Sequence, residues 1–264
     1  MPLRSHRLPA VIVAGFLLAG TLFTAEADPA AAAAPVKVMQ FNICGAICNH
    51  GKYGVVEHVR AKIVNFRPAI VTLNEVCAGQ FSRLVSRLDG SGWEMKGVFR
   101  PQRHDGRCPG GGFGDAVLTA GSVGRREVLP MPNHGPEHRA VLCLRTSAGG
   151  GPVLACTLHL VTGRSAKGSR EKYLQYAAAA RALNARAGVG AVIVGGDFNL
   201  VPGQMGSMLK GGPFFDVDPQ AAGTHGRKID YVLFSRRHFS NPSGGPQASA
   251  YSDHRALLGQ ATRH

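Results

Sequence analysis

Acidic residues are scarce in this chain: sixteen Asp and Glu stand against thirty Lys and Arg, a formal charge of +14. A field of that sign concentrates anionic partners such as nucleic acid, acidic lipid surfaces or cell-wall polymers, without choosing among them. Long apolar runs are also scarce. The one present, from Leu8 to Phe23, is short for a bilayer span, and no second follows. Arg4 and Arg7 precede it and Ala25-Glu26-Ala27 follows it. A basic start, an apolar segment and a small-x-small site together predict a secretory signal peptide over residues 1–27. Export follows as an expectation, with no stable membrane anchor. Residues 28–35 read as a disordered Ala/Pro-rich lead-in. No internal repeat is present, and residues 36–264 suit one domain with a substantial core.

Six cysteines in an exported chain predict three disulfides. Cys44 and Cys48 have zinc-like spacing, but no second close pair completes four ligands, which disfavours zinc. One disulfide follows from register. HRAVLCLRTSAGGGPVLACTLHL holds two β-rich runs around a glycine tract, a hairpin signature. A two-residue turn at Gly149-Gly150 sets Cys143 opposite Cys156. The remaining four, Cys44, Cys48, Cys77 and Cys108, allow three pairings that spacing leaves open.

Along the chain, PVKVMQFNICG reads as a strand closing on Asn42, and Val55, Val56, Val59 and Ile63 have helical spacing. AIVTLNEVC is a buried strand ending at Glu75, followed by a helix around Phe81, Leu84, Val85 and Leu88. A Gly/Arg/Pro-rich loop, the short strand GDAVLTA and the hairpin come next. A helix from about Ser165 to Ala187 follows, with Tyr173, Tyr176, Ala177, Ala180 and Leu183 as its expected inner stripe. VIVGGDFNLVPG, KIDYVLFS and YSDHRALLG complete the strands. Grouped strands with helices between them predict one α/β domain of two packed sheets.

Asn42, Glu75, His159, Asp197, Asn199, Asp230, Asp253 and His254 all stand at or beside the ends of these apolar runs. In GDFN, strand alternation would point Asp197 and Asn199 one way and Phe198 the other. A plain Asx turn is the competing reading. Eight such residues where an α/β core opens to solvent suggest one convergent site, and their types fit phosphoester hydrolysis. Carboxylates and carboxamides hold a hard cation, and histidines move protons.

The ordered motifs MQFNI (39–43), LNEV (73–76), GDAVLT (114–119), TLHL (157–160), GDFN (196–199), IDYVL (229–233) and SDH (252–254) resemble those of the endonuclease/exonuclease/phosphatase superfamily. The chain looks like a secreted bacterial member. The resemblance implies a deoxyribonuclease I-like four-layered α/β sandwich and a Mg²⁺- or Mn²⁺-dependent phosphoesterase. By the same resemblance Glu75, Asn42 and Asp253 hold the metal, and His254 is the general base oriented by Asp230. Asp197 and Asn199 position the water and the phosphoryl group, and His159 stabilises the phosphate or protonates the leaving group. Two departures stand out. Asp115 occupies a position where the family carries Asn, so either it points at a metal or at His159 or the substrate's contacts there differ, and His159 has no matched carboxylate partner between Glu94 and Gly112. The competing metallophosphoesterase fold needs a GNH[DE] motif, which is absent.

Family resemblance does not choose a substrate. The basic balance and the cluster Arg164, Lys167, Arg170 and Lys172 after TLHL favour nucleic acid, whose flanking phosphates they would hold. A sphingomyelinase- or phospholipase C-like enzyme, or an inositol-phosphate phosphoesterase, is the alternative. The single tryptophan, Trp93, and the lack of an aromatic-rich insertion disfavour the lipid class. A non-catalytic binder of anionic polymers would have no need of His159 and His254 together. No protein partner is inferable.

Overall fold

The computed structural model of the chain describes Met1, residues 34–219 and residues 223–264. The predicted 1–27 leader lies outside the described residues but for Met1, and only residues 34–35 of the lead-in fall within them. The elements run β1 (Val36–Asn42), α1 (Gly54–Phe66), β2 (Ile70–Cys77), α2 (Ala78–Leu88), β3 (Lys96–His104), β4 (Gly112–Thr119), β5 (Arg126–Pro130), β6 (Ala140–Ala148), β7 (Gly151–His159), α3 (Ala166–Ala187), β8 (Val192–Asp197), β9 (Phe214–Asp216), β10 (Asp230–Ser235), β11 (Phe239–Gln247) and β12 (Ala256–Arg263). They build two mixed sheets of six strands, β11-β12-β1-β2-β4-β3 and β5-β6-β7-β8-β10-β9.

Each sheet holds one parallel pair, β1 with β2 and β7 with β8, joined through α1 and α3 respectively. Alternation then sorts the side chains into layers. Val38, Ile70, Ala155, Ile193 and Val232 fill the space between the sheets. Met39, Phe41, Val71 and Leu73 pack outward beneath α1 and α2. Cys156, Leu158, Val194 and Leu233 pack outward beneath α3. The result is the four-layered α/β sandwich. At Gly195 a Cβ would lie 2.0 Å from Thr72 Oγ1, so only glycine lets the sheets approach there.

The inward faces change character along their length. On β1, Val36 and Val38 give way to Gln40 and Asn42; on β2, Ile70 gives way to Thr72 and Asn74. On β7, Ala155 gives way to Thr157 and His159, and on β8, Ile193 leads through Gly195 to Asp197. These are the C-terminal ends of the parallel strands. The antiparallel neighbours β10 and β12 begin at the same edge, with Asp230 opposite Asp197 and with Asp253 and His254 just ahead of Ala256. One edge of the sandwich therefore collects the polar residues from both sheets.

The β6–β7 hairpin turns at Gly149 and Gly150, both at positive φ (58° and 77°), the conformation a two-residue primed turn requires. Cys143 faces Cys156 in register and the two are disulfide-bonded. The other disulfides are Cys44–Cys48 and Cys77–Cys108. Helix α3 differs from expectation. Its buried stripe includes Glu171, Lys172, Gln175, Tyr176, Ala180 and Leu183, while Tyr173 is exposed and bonds Gln204. Polar residues at the start of this stripe fasten neighbouring loops, which periodicity of apolar residues does not register.

Candidate active site

Asn74, buried between the sheets, is the hub of the polar edge. Its Oδ1 accepts from Gln40 Nε2 at 2.7 Å and from the Asp197 N–H at 3.0 Å. Its Nδ2 donates to Asp115 Oδ1 at 2.9 Å and to the Leu158 carbonyl at 3.1 Å. One carboxamide thus fixes β2 against β7 and β8. Losing it would strand several buried groups, each at a cost of about 1–3 kcal/mol.

Beside it, Glu75 breaks the alternation. The β2–β4 register shifts between Leu73 and Val76, and Glu75 adopts φ 55°, uncommon for a residue with a Cβ. The bulge turns its carboxylate toward the open edge, where Oε1 accepts from Asn42 Nδ2 at 3.0 Å. The same Nδ2 reaches Asp197 Oδ2 at 3.2 Å, while Asn42 Oδ1 accepts from the Cys44 N–H at 3.1 Å. Asn42 therefore couples the carboxylates of the two sheets. Burial, together with the charge of Asp253, raises the pKa of Glu75.

Asp197 combines an Asx turn with a carboxylate that faces the site. Its Oδ1 accepts from the Asn199 N–H at 2.9 Å, an Asx turn, while Oδ2 lies 3.5 Å from His159 Nε2 and 3.7 Å from His254 Nε2. Phe198 packs on the opposite side, in the layer under α3. The extended geometry ends at Asp197, however. Asn199 takes φ 49° and its Nδ2 donates to the Leu160 carbonyl at 2.9 Å, so it does not point with Asp197 as alternation suggested.

The two histidines are in opposite electrostatic states. Burial, and then the nearby positive charges of Arg139 and His254, hold His159 well below its ordinary pKa, so it is neutral at pH 7. Its Nδ1 is buried and has no partner among the described residues. Burial alone would lower His254 as well. Its 2.8 Å bond to Asp230 Oδ2 and the charges of Asp230, Asp197 and Asp253 outweigh that and raise it to about 9. Because a carboxylate only accepts, His254 Nδ1 carries the hydrogen and Nε2 faces Asp197. Burial, reinforced by the charge of Asp230, raises the pKa of Asp197.

The edge opens into a cleft of about 480 Å³ lined by Glu75, Arg139, Arg164, Asp253 and Ile47 among others. Lys167 and Arg170 line a second pocket with His134, and Glu171 borders both. Lys172 lies apart from this surface: its Nζ is buried and donates to the Asn199 carbonyl at 2.9 Å. Asp115 also departs from expectation. It is buried, with its carboxylate taken by Asn74 Nδ2 and Gln102 Nε2, so it braces the hub instead of facing a substrate.

Four neighbours of the site were not evident from sequence. Asn74 and Gln40 sit inside LNEV and MQFN, and continuing the alternation back from Asn42 would have found Gln40. Arg139 is buried and donates to the His159 and Leu160 carbonyls at 2.9 and 3.0 Å, fixing the end of β7. His225 lies in a loop that carries no periodic signal.

The profile of the Endonuclease/Exonuclease/phosphatase family matches residues 39–254 of the chain. No curated protein matches it. Among solved structures, an endonuclease/exonuclease/phosphatase from Beutenbergia cavernae is 22% identical, with a TM-score of 0.70 over 87% of this chain and 72% of that one. The human Nocturnin catalytic domain, with bound sulfate, is 18% identical, with a TM-score of 0.68 over 87% and 95%. TDP2 of D. rerio, complexed with single strand DNA product, is 14% identical, with a TM-score of 0.64 over 86% and 99%. At these identities the likeness is one of fold.

Proposed function

The chain belongs to the endonuclease/exonuclease/phosphatase family, and from that premise we propose that it is a secreted, divalent-metal-dependent phosphodiesterase acting on nucleic acid. The observation carrying the nucleic-acid reading is the cationic border of the cleft. Arg164 stands in the same cleft as Glu75, and Lys167 and Arg170 line the adjoining pocket. Cations spaced along a groove suit the successive phosphates of a polymer, and binding to them weakens as salt rises. Export is in keeping with three disulfides and with the predicted leader.

The family's metal fits the residues here. Glu75 and Asp253 offer anionic oxygens in the cleft, Asn42 couples Glu75 to Asp197, and burial, which raises the pKa of Glu75, is a cost that a cation beside its carboxylate would offset. Oxygen donors of this kind select Mg²⁺ or Mn²⁺, and Glu75 and Asp253 would hold the ion; Asn42, expected to join them, has its Oδ1 taken by the Cys44 N–H and its Nδ2 turned to the carboxylates. When bound, it would neutralise phosphate charge.

The remaining work falls to the chain's own groups. His254, held through Nδ1 by Asp230, presents Nε2 to take a proton from the attacking water. Asp197 Oδ2, between the two histidines, accepts the second hydrogen of that water and so aims it. His159 is neutral, so it acts on a phosphoryl oxygen as a hydrogen-bond donor and not as a cationic acid. Asn199 contributes through its backbone N–H, which fixes Asp197. The purified mature protein, assayed on plasmid DNA, RNA, sphingomyelin and inositol phosphates with and without EDTA, tests the substrate class. Metal-dependent cleavage of DNA or RNA is expected, and turnover confined to sphingomyelin or inositol phosphates would refute the nucleic-acid reading.

A further inference from the structure

His254 is tethered at one point, the bond from Nδ1 to Asp230. A single hydrogen bond sets where an imidazole sits but does not by itself fix the ring's plane, which for this buried ring is left to what packs against it. The plane matters because the Nε2 lone pair lies in it. Among the described residues, the one aromatic ring stacked on His254 is His225, with centroids 4.5 Å apart and planes 17° from parallel.

His225 is not there to fill the core, since its side chain is 44% exposed. Its own placement is nevertheless fixed. Its Nδ1 lies 2.9 Å from the Asp253 carbonyl oxygen, and because a carbonyl only accepts, Nδ1 carries the hydrogen. The preceding residue, Thr224, is stitched to Asp230 and to Arg255, the residue that follows His254. Its Oγ1 accepts from the Asp230 N–H at 3.1 Å, and its carbonyl accepts from the Arg255 N–H at 2.7 Å. Gly226, at φ 63°, closes the turn that lets the His225 N–H reach the Arg227 carbonyl at 3.1 Å. The same short segment thus takes its position from Asp230 and from the two residues that flank the base, Asp253 and Arg255.

We propose that His225 is a positioning residue whose ring, packed on His254, fixes the plane of that imidazole and so aims Nε2. This rests on His254 being the general base. The contribution is geometric: stacking supplies it, and the hydrogen bond to Asp253 serves only to hold the stacking ring. Small misalignments of a reacting group cost rate, up to about 10²-fold for a displacement of about 1 Å.

Three variants of the full chain separate stacking from hydrogen bonding, with His254→Ala run in parallel on bis(p-nitrophenyl) phosphate. His225→Ala is expected to lower kcat about tenfold with KM within about twofold. His225→Phe, which keeps a ring but no donor, should recover most of kcat. His225→Asn, which keeps a donor but no ring, should behave like the alanine variant. Proton NMR of His254 adds a direct readout, its ring resonances broadening in the alanine and asparagine variants and staying sharp in the phenylalanine variant. Wild-type kcat in His225→Ala, or rescue by Asn and not by Phe, would overturn the proposal. If His254→Ala retains full activity, the general-base reading itself has failed, whatever the His225 variants do.

Discussion

Replacing Asp230 with Asn probes the pairing on which the proposed chemistry turns. Asp230 is fully buried and accepts from His254 Nδ1 at 2.8 Å. Burial works against the imidazolium, yet Asp230, Asp197 and Asp253 together raise His254 from 6.5 to about 9. That difference corresponds to roughly 3 kcal/mol favouring the protonated ring. A general base must be unprotonated, so the wild-type rate climbs with pH through the raised value and levels off above it. Removing the Asp230 charge brings the imidazole back toward its ordinary value, and the climb should end about one to two pH units lower. The plateau should also fall about 10²–10³-fold, because the ring loses both its orienting acceptor and part of its basicity. The two effects oppose each other near neutrality, where the variant holds more of its histidine unprotonated. The wild-type to variant ratio should therefore grow with pH, by about fivefold to fiftyfold between pH 6 and pH 9. A divalent cation beside Asp253 lowers both limbs, so kcat/KM is measured for both proteins at one Mg²⁺ concentration. A ratio that stays constant with pH, with both limbs superimposed, would refute the pairing.

Other outcomes test the framework around the site. Asn74→Ala should destabilise the fold by about 2–4 kcal/mol in urea unfolding, because it strands the Asp197 N–H, Asp115 and Gln40 inside the sandwich. An unchanged midpoint would deny Asn74 its place as the hub. Burial raises Asp115 to about 7, so the native state holds its proton more tightly than the unfolded chain, whose value lies near 3.8. Its contribution to stability is therefore present at low pH and lost as pH rises from about 4 through about 7. Asp115→Asn should abolish that loss, because an amide does not ionise, and a flip of the Gln102 amide would turn its unpartnered Oε1 toward the new N–H. Thermal melts of both proteins across that range decide it, and parallel curves would contradict the assignment. Peptide mapping of non-reduced protein should find Cys143–Cys156, Cys44–Cys48 and Cys77–Cys108, and a free thiol at any of the six would be inconsistent with the structure.

What the sequence could reveal followed from local rules. Alternation and apolar runs located the strands, the Gly-Gly turn set the hairpin register, and polar residues at strand ends marked one edge. The strictly periodic readings failed where the backbone leaves its period. Asn199 turns away because the strand stops at Asp197, and Glu75 reaches the cleft through a bulge that no pattern announces. Asp115 reads as a site contact by its motif position and Lys172 as a ligand for phosphate by its charge, yet each is buried against partners distant in sequence. Asn74 was hidden by its neighbour Glu75, and only the packing of one sheet on the other makes it a hub. His225 depends on a turn between motifs, where tertiary contacts alone give a residue its role.

The most direct test of the central claim is hydrolysis of bis(p-nitrophenyl) phosphate by the purified mature protein and its Glu75→Gln variant, after exhaustive dialysis against EDTA and again with Mg²⁺ or Mn²⁺ restored. Glu75 is, with Asp253, one of the charged cleft residues assigned to the ion, and Glu75→Gln should keep the fold while lowering activity by orders of magnitude. The expected result is turnover by the wild type only when metal is restored, with near-background turnover by the variant. Undiminished turnover in EDTA, or a Glu75→Gln enzyme as active as the wild type, would contradict a metal-dependent phosphodiesterase at this edge of the sandwich.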